Sequence, residues 1–356
     1  MSRVNEILDY KVELEKELGT EITINELAFK TTINAREKEP SLASKILILI
    51  GAIVAGAFFF GSLAINGLLN APLGMLMLSL LMFGLALFTE LKLSKNVATN
   101  AFNLVFYIIA FSTLGASLYW FEINDNINIL ILIILWLGVL AFSKNYISTF
   151  SATIGVNFLI FFWIVINRNY DLLNAHAIAL ALISFILFKN EAFFIKLPEN
   201  IRRMFLPLRS ALIIALVYVL STIGFNHLAE FYLSYTRITG IVLLFLIAYV
   251  LYQTNISGVE KKTRVQQTII AFILLAPLIL APAVLGGLFV TLLCFRANYR
   301  TGFVLGILCS LYFIGQFYYD LKLTLFYKSI LMLSTGTLFL TIQYILHKNN
   351  YFDEKN

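Results

Sequence analysis

Few side chains in this sequence have the type and spacing that chemistry requires. Its three histidines, His176, His227 and His347, are far apart, so a histidine-rich metal cage is not expected. The H-E-x-x-H spacing of metalloproteases, a phosphate-cradling G-x-x-x-x-G-K and a G-x-S-x-G elbow are all absent. The acid candidates in or beside apolar segments, Glu90, Glu122, Asp171 and Glu230, all sit close to segment ends. Glu90, Glu122 and Asp171 are the thin acid–base set a transferase acting on lipid-linked substrates would need. His176, a few residues into LLNAHAIALAL, is the main polar oddity inside an apolar run. Two readings of it stand: a polar intramembrane site that binds or gates, or an imidazole that hydrogen-bonds a neighbouring helix. No cofactor, metal or nucleic-acid partner is expected.

The elements that must position these residues are set by composition. Of 356 residues, 60% are hydrophobic and 13% charged, against about 25% charged in an average globular chain. So much apolar surface has lipid as its solvent. The sequence predicts an all-α, polytopic transmembrane bundle facing the lipid bilayer. A span takes about 20 apolar residues, and such segments fall near 45–66, 73–91, 101–121, 127–143, 147–166, 172–188, 209–226, 236–253, 301–318 and 329–346. Between the last four lies 267–295, with Pro277, Pro282 and Gly286–Gly287. It reads as one span plus a stub, a re-entrant segment, or two short spans turning at Ala281–Ala283. About twelve spans are expected, with eleven as the alternative.

Ahead of the bundle, residues 1–43 carry six Lys/Arg against nine Asp/Glu and show helical spacing of Val4, Ile7, Leu8, Leu14 and Leu18. Thr23 and Glu26 form a capping-box pattern that opens a second helix. A short cytosolic helical hairpin is expected there, followed by the bundle over 44–348 and a short tail, 349–356. No cleavable signal peptide is read in a start of this kind. The inner loops hold thirteen Lys/Arg and the outer loops four if the amino end is inside, which is the bias that orients a chain in a bilayer. Both termini are expected on the cytoplasmic side. The basic loop 189–208 separates two six-span halves. Its IKLPENIRRMFLPLR run places Arg202, Arg203 and Arg209 as basic residues at the interface, beside anionic headgroups. Small residues recur four apart at Ala52/Gly56, Ala57/Gly61, Ala283/Gly287 and Gly302/Gly306/Ser310, a spacing that lets helices approach closely.

Near the carboxyl end, QFYYDLKLTLFYKSILMLSTG puts Asp320, Lys322 and Lys328 between tyrosines and a new Leu/Ile run. On the twelve-span topology this is an outer connection, with Tyr318 and Tyr319 at the interface and Lys328 snorkelling at the start of the last span. Asp320 is placed to meet Lys322 or Lys328. The stretch is similar to the carboxyl-terminal pattern of an uncharacterised family of bacterial multi-spanning proteins. That pattern runs aromatic-Tyr-Tyr-x-Leu-x-x-Thr-Leu-x-x-Lys-Ser, then leucines and a glycine. In the family it follows an Ala-Pro-containing helical pair, matched here by LAPAVLGGLFVTLLCF. The resemblance assigns Tyr318, Tyr319, Leu321, Thr324, Leu325, Lys328, Ser329 and Gly336 as pattern positions, with Phe317 standing where the pattern has a first tyrosine. It covers about the last ninety residues; before that the likeness is one of hydropathy alone. It also implies a neighbour, because members are typically encoded beside a second membrane protein with an outer GDYxxLxY motif.

The reading that results is a non-enzymatic, multi-pass protein of the bacterial inner membrane. It would work with that GDYxxLxY-type partner through the 317–329 turn. A small-molecule transporter or permease is the first alternative, although ELKLSKNVATN lacks the acid–basic–glycine signature of a major-facilitator loop. The lipid-linked transferase is the second. Asn66, Asn70, Asn100, Asn103, Asn157, Asn167, Asn169 and Asn174 could line a substrate path, but most are expected at span ends, satisfied by water.

Overall fold

The computed structural model describes residues 42–67, 71–92, 97–143, 145–224, 235–254, 261–320 and, beyond these, positions 324, 326–330, 333, 334, 336, 337 and 340. The expected amino-terminal hairpin, His227, Glu230, Leu321, Lys322, Leu325 and the tail 349–356 lie outside the described residues.

Every regular element among the described residues is helical. In chain order these are α1 (Leu42–Ile65), α2 (Pro72–Lys92), α3 (Val97–Trp120), α4 (Asp125–Phe142), α5 (Tyr146–Ile166), α6 (Asp171–Lys189), the short α7 (Glu191–Lys196), α8 (Glu199–Gly224), α9 (Thr236–Thr254), α10 (Lys261–Leu275), α11 (Pro282–Arg296) and α12 (Arg300–Asp320). A 3-10 turn, Ala276–Leu280, extends α10. Eight of the helices are long and apolar enough to cross a membrane. The protein itself buries only 22% to 56% of their apolar windows. What remains, such as Phe58, Met77, Phe142 and Leu311, forms an apolar outer surface that water would not tolerate and lipid does.

The turns are short because the sequence supplies local closures. Glu122, Arg168 and Asn298 adopt positive φ of 58°, 54° and 50°, each just after a helix end. The amide one residue further on donates back to Leu118, Ile164 and Cys294 respectively, which satisfies carbonyls the helix would otherwise leave open. Asn124 opens α4 by accepting from the Asn126 amide at 2.9 Å, with Asp125 in the positive first turn.

Side-chain contacts mark two opposite ends. At one end, rich in Lys and Arg, Tyr146 of α5 donates to Ser210 of α8 at 3.0 Å, and Ser210 meets the Tyr299 hydroxyl at 2.9 Å. At the other end Asn167 bonds Asn126 at 2.8 Å and Ser117 donates to the Pro72 carbonyl at 3.1 Å. In the ambiguous stretch 267–295 two short apolar helices are joined by a reversal. α10 and its 3-10 turn climb to the far end and reverse at Ala281. α11 then returns beside α12 as far as Tyr299 at the basic end. Pro277 and Pro282 suit this reversal, each standing at the start of its helix where no amide donor is missed.

Buried side chains form separate clusters. Phe111 and Trp136 stack at 3.9 Å between α3 and α4, while a second core gathers α6, α8, α9, α11 and Phe313 of α12. α5 and α8 join them, with Phe161 edge-on to Tyr218 at 4.8 Å. One boundary differs from expectation. The segment 199–208 is not a connector before a span but the first part of α8, which runs through Pro207. A proline removes one backbone donor, and neighbouring helices in an apolar bundle can hold such a helix together.

Candidate functional site

At the end of the bundle away from the basic loops, three helix ends converge: the close of α8 at Gly224, the Ala281–Pro282 reversal and the last turn of α12. Between them is a cavity of about 190 Å³ lined by Gly224, Pro282, Phe313, Gln316, Phe317 and Asp320. Gly224 makes room for it, because a Cβ there would stand 3.3 Å from both Ala283 Cβ and Gln316 Oε1. Both polar atoms of the Gln316 amide are buried without a hydrogen-bond partner among the described residues. Leaving an amide in that state costs stability, so a group that offers both a donor and an acceptor would be welcomed there.

The carboxyl-terminal pattern residues flank this cavity. The Lys328 ammonium donates to the Tyr318 carbonyl at 2.8 Å and the Tyr319 carbonyl at 3.3 Å, and lies over the Tyr318 ring at 5.1 Å. A cation on the last carbonyls of α12 complements the helix dipole. Lys328 is also tied by its own amide to Thr324 at 3.0 Å. The end of α12 is thereby tied to Lys328, with the Tyr318 and Tyr319 rings edge-to-face at 5.7 Å and Tyr319 81% exposed. Thr324, Ser329 and Gly336 are exposed, and Asp320 is half-buried at the cavity wall.

His176 is buried and distant from this end cluster in its contacts. Its Nε2 stands 3.2 Å from Asn157 Oδ1, which makes Nε2 the proton-bearing nitrogen, and Asn157 in turn donates to the Thr153 carbonyl at 2.7 Å. The helix-bonding reading of His176 describes this geometry. Two of the asparagines expected at water-filled ends are instead interior: Asn103 and Asn174 are 1% and 2% exposed, Asn174 accepting from Thr239 at 2.9 Å. Glu90 lies at the basic end, whereas Glu122 and Asp171 close turns at the opposite end. Glu90 is therefore separated from the other two acids by the length of the bundle.

Arg202 and Arg203 are exposed on α8. Arg209, one to two turns on, points inward and is 8% exposed. Its guanidinium lies 4.1 Å from the Tyr299 ring, between Phe188 and Phe205, and bonds Glu191 at 3.4 Å. Nearby, Lys189 donates to the Tyr249 hydroxyl at 2.8 Å. Sequence reasoning did not find this box. Glu191 and Tyr299 are far apart in the chain, and the only signal was that Arg209 opens an apolar run.

These features define an α-helical multi-pass membrane protein with a basic end and an aromatic, proline-bounded end. The chain belongs to the family described as Domain of unknown function (DUF4401), whose pattern matches residues 41–349. No curated protein matches it, and no solved structure does.

Proposed function

We propose that this protein is a non-enzymatic subunit of the bacterial inner membrane that docks a second membrane protein, of the GDYxxLxY type, through its Tyr318–Lys328 end. On this reading the chain makes twelve spans. The basic end and both termini face the cytoplasm, as the distribution of Lys and Arg favours, and the Ala281 and 317–329 turns face outward. The observation that carries the proposal is the tie between Lys328 and the end of α12. Lys328 fixes the carbonyls of Tyr318 and Tyr319 and holds an exposed tyrosine beside a cavity with an unanswered amide. A rigid aromatic anchor next to a recess is what protein interfaces use as a hot spot.

Affinity purification of the tagged chain from native membranes is the test. A GDYxxLxY-type membrane protein should co-purify with wild type, and Tyr319→Ala or Lys328→Ala should reduce the yield of that partner tenfold or more, the loss of about 1.4 kcal/mol or greater. Insertion of both variants into the membrane should be unchanged. Absence of the partner with wild type, or equal recovery with both variants, would remove the proposal.

A further inference from the structure

A second polar site lies inside the other end of the bundle, where α2, α3 and α5 meet. Phe83 of α2 packs edge-on against both Tyr107 and Phe111 of α3, at 5.9 and 6.0 Å. The two helices run antiparallel, so about two turns further along α2 and two turns back along α3 Glu90 stands level with the Asn100–Asn103 stretch. Asn100, Asn103 and Tyr107 share one face of α3 by their i, i+3, i+7 spacing.

The contacts agree with that register. Tyr107, fully buried, donates its hydroxyl to Glu90 Oε2 at 2.7 Å. Asn103, 1% exposed, donates through Nδ2 to Ser148 Oγ of α5 at 3.3 Å. Three further atoms at this level are buried and have no partner among the described residues: Glu90 Oε1, Asn100 Oδ1 and Asn103 Oδ1. All three are oxygen acceptors, while Asn145 Nδ2, three residues before Ser148, is a buried donor also left open. Lys92, the next cation along α2, lies instead over the Phe88 ring at 5.5 Å.

A buried carboxylate oxygen level with a helix face that carries orphan carbonyl oxygens calls for a positive charge, not another hydrogen-bond acceptor. We infer that Glu90, Asn100 and Asn103, with the Ser148 hydroxyl, form a binding site for a monovalent alkali cation at the basic end of the bundle. Carboxylate, amide carbonyl and hydroxyl oxygens are the donor set of hard cations. One carboxylate balances one charge, and among the described residues no group of three acids, histidines or cysteines gathers to hold a metal ion of higher charge. Tyr107 takes one carboxylate oxygen and leaves the other, buried, for the cation. The inference does not depend on partner docking, which involves the opposite end of the bundle.

Thermal unfolding of the purified full chain in detergent, followed by tryptophan fluorescence, tests the site. Trp136 is a useful reporter, 6.0 Å from the Tyr107 ring. At constant ionic strength, sodium chloride should raise Tm over N-methylglucamine chloride in a saturable way. A parallel potassium chloride series shows which alkali ion is preferred. Glu90→Gln should abolish the rise, Asn103→Ala should move its half-saturation at least tenfold, and Glu122→Gln should leave it unchanged. Should Glu90→Gln not fold, Asn103→Ala and Asn100→Ala carry the test. Equal Tm in sodium, potassium and N-methylglucamine, or a full shift retained by Glu90→Gln or by Asn103→Ala, would overturn the inference.

Discussion

Gly306→Leu should destabilise the bundle by about 3 kcal/mol, the upper end of what overpacking costs. α11 and α12 approach through facing small residues. A Cβ on Gly306 would stand 2.8 Å from both the amide nitrogen and the Cα of Thr291, and one on Gly287 would stand 2.9 Å from the Ser310 Cα. These are backbone atoms, so no side chain can rotate away to make room. The close approach also brings the Thr291 and Ser310 hydroxyls within 3.3 Å of each other, while each returns a bond to its own helix at 2.8 Å. Separating the helices would lose the packing and leave the interhelical polar contact open. Gly315→Leu is the control, since nothing lies within 4 Å of a Cβ there. Reversible unfolding in mild detergent should show the two variants well apart. If they fell within about 0.5 kcal/mol of each other, the range of an ordinary surface change, close packing of α11 on α12 would be refuted.

Arg209→Ala should cost about 2 kcal/mol, the contribution of a desolvated cation–π contact. The ion pair itself is not the main reason. Glu191 is 35% exposed, and water screens that carboxylate, so Glu191→Gln should cost under about 1 kcal/mol. The larger share comes from the guanidinium plane against Tyr299, Phe188 and Phe205, where a desolvated cation–π contact contributes about 2 kcal/mol. The same residue ties α6, α8 and the α11–α12 turn together. Arg209→Lys keeps the charge but not the planar stack and should fall between wild type and alanine. A thermal series of the four proteins checks the order. Glu191→Gln more damaging than Arg209→Ala would show that charge pairing, not stacking, dominates.

The spans were legible because an apolar run of the right length has few alternatives in a bilayer. Predicted 147–166 became Tyr146–Ile166, and predicted 172–188 became Asp171–Lys189. The proline-bounded reversal at Ala281 was legible as one of three options, since Pro277 and Pro282 permit a break without fixing where the chain goes next. Small-residue spacing was a partial guide. Ala283/Gly287 and Gly302/Gly306/Ser310 do mark a close contact, and Gly56 abuts Val105, yet Gly61 faces open space. Spacing reports that a helix could be approached closely and not that a neighbour is there.

What hydropathy cannot give is the direction a polar residue faces. Glu90 and Arg209 were read as end residues from their depth, but both turn inward to tyrosines, Tyr107 and Tyr299, that lie 17 and 90 positions away. The loop read over 189–208 likewise gave way to helix, because a proline such as Pro207 can be carried inside a helix by packed neighbours. The carboxyl-terminal pattern named Tyr318, Tyr319 and Lys328 together, and the structure supplies the bond that joins them. Gln316, one residue ahead of that pattern, was legible only as a polar side chain set further into an apolar run than the end residues.

Side-specific labelling tests the account most directly. Cys294 and Cys309 lie within helices and would be replaced by alanine, and a single cysteine would then be placed at Tyr319 or at Lys196, exposed positions at opposite ends of the bundle. With a membrane-impermeant thiol reagent, the cysteine at 319 should react in intact cells once the outer barrier is opened, and the cysteine at 196 only after the inner membrane is broken. Reaction of both from the outside, or of 196 alone, would contradict a bundle threaded through the bilayer with its basic end in the cytoplasm.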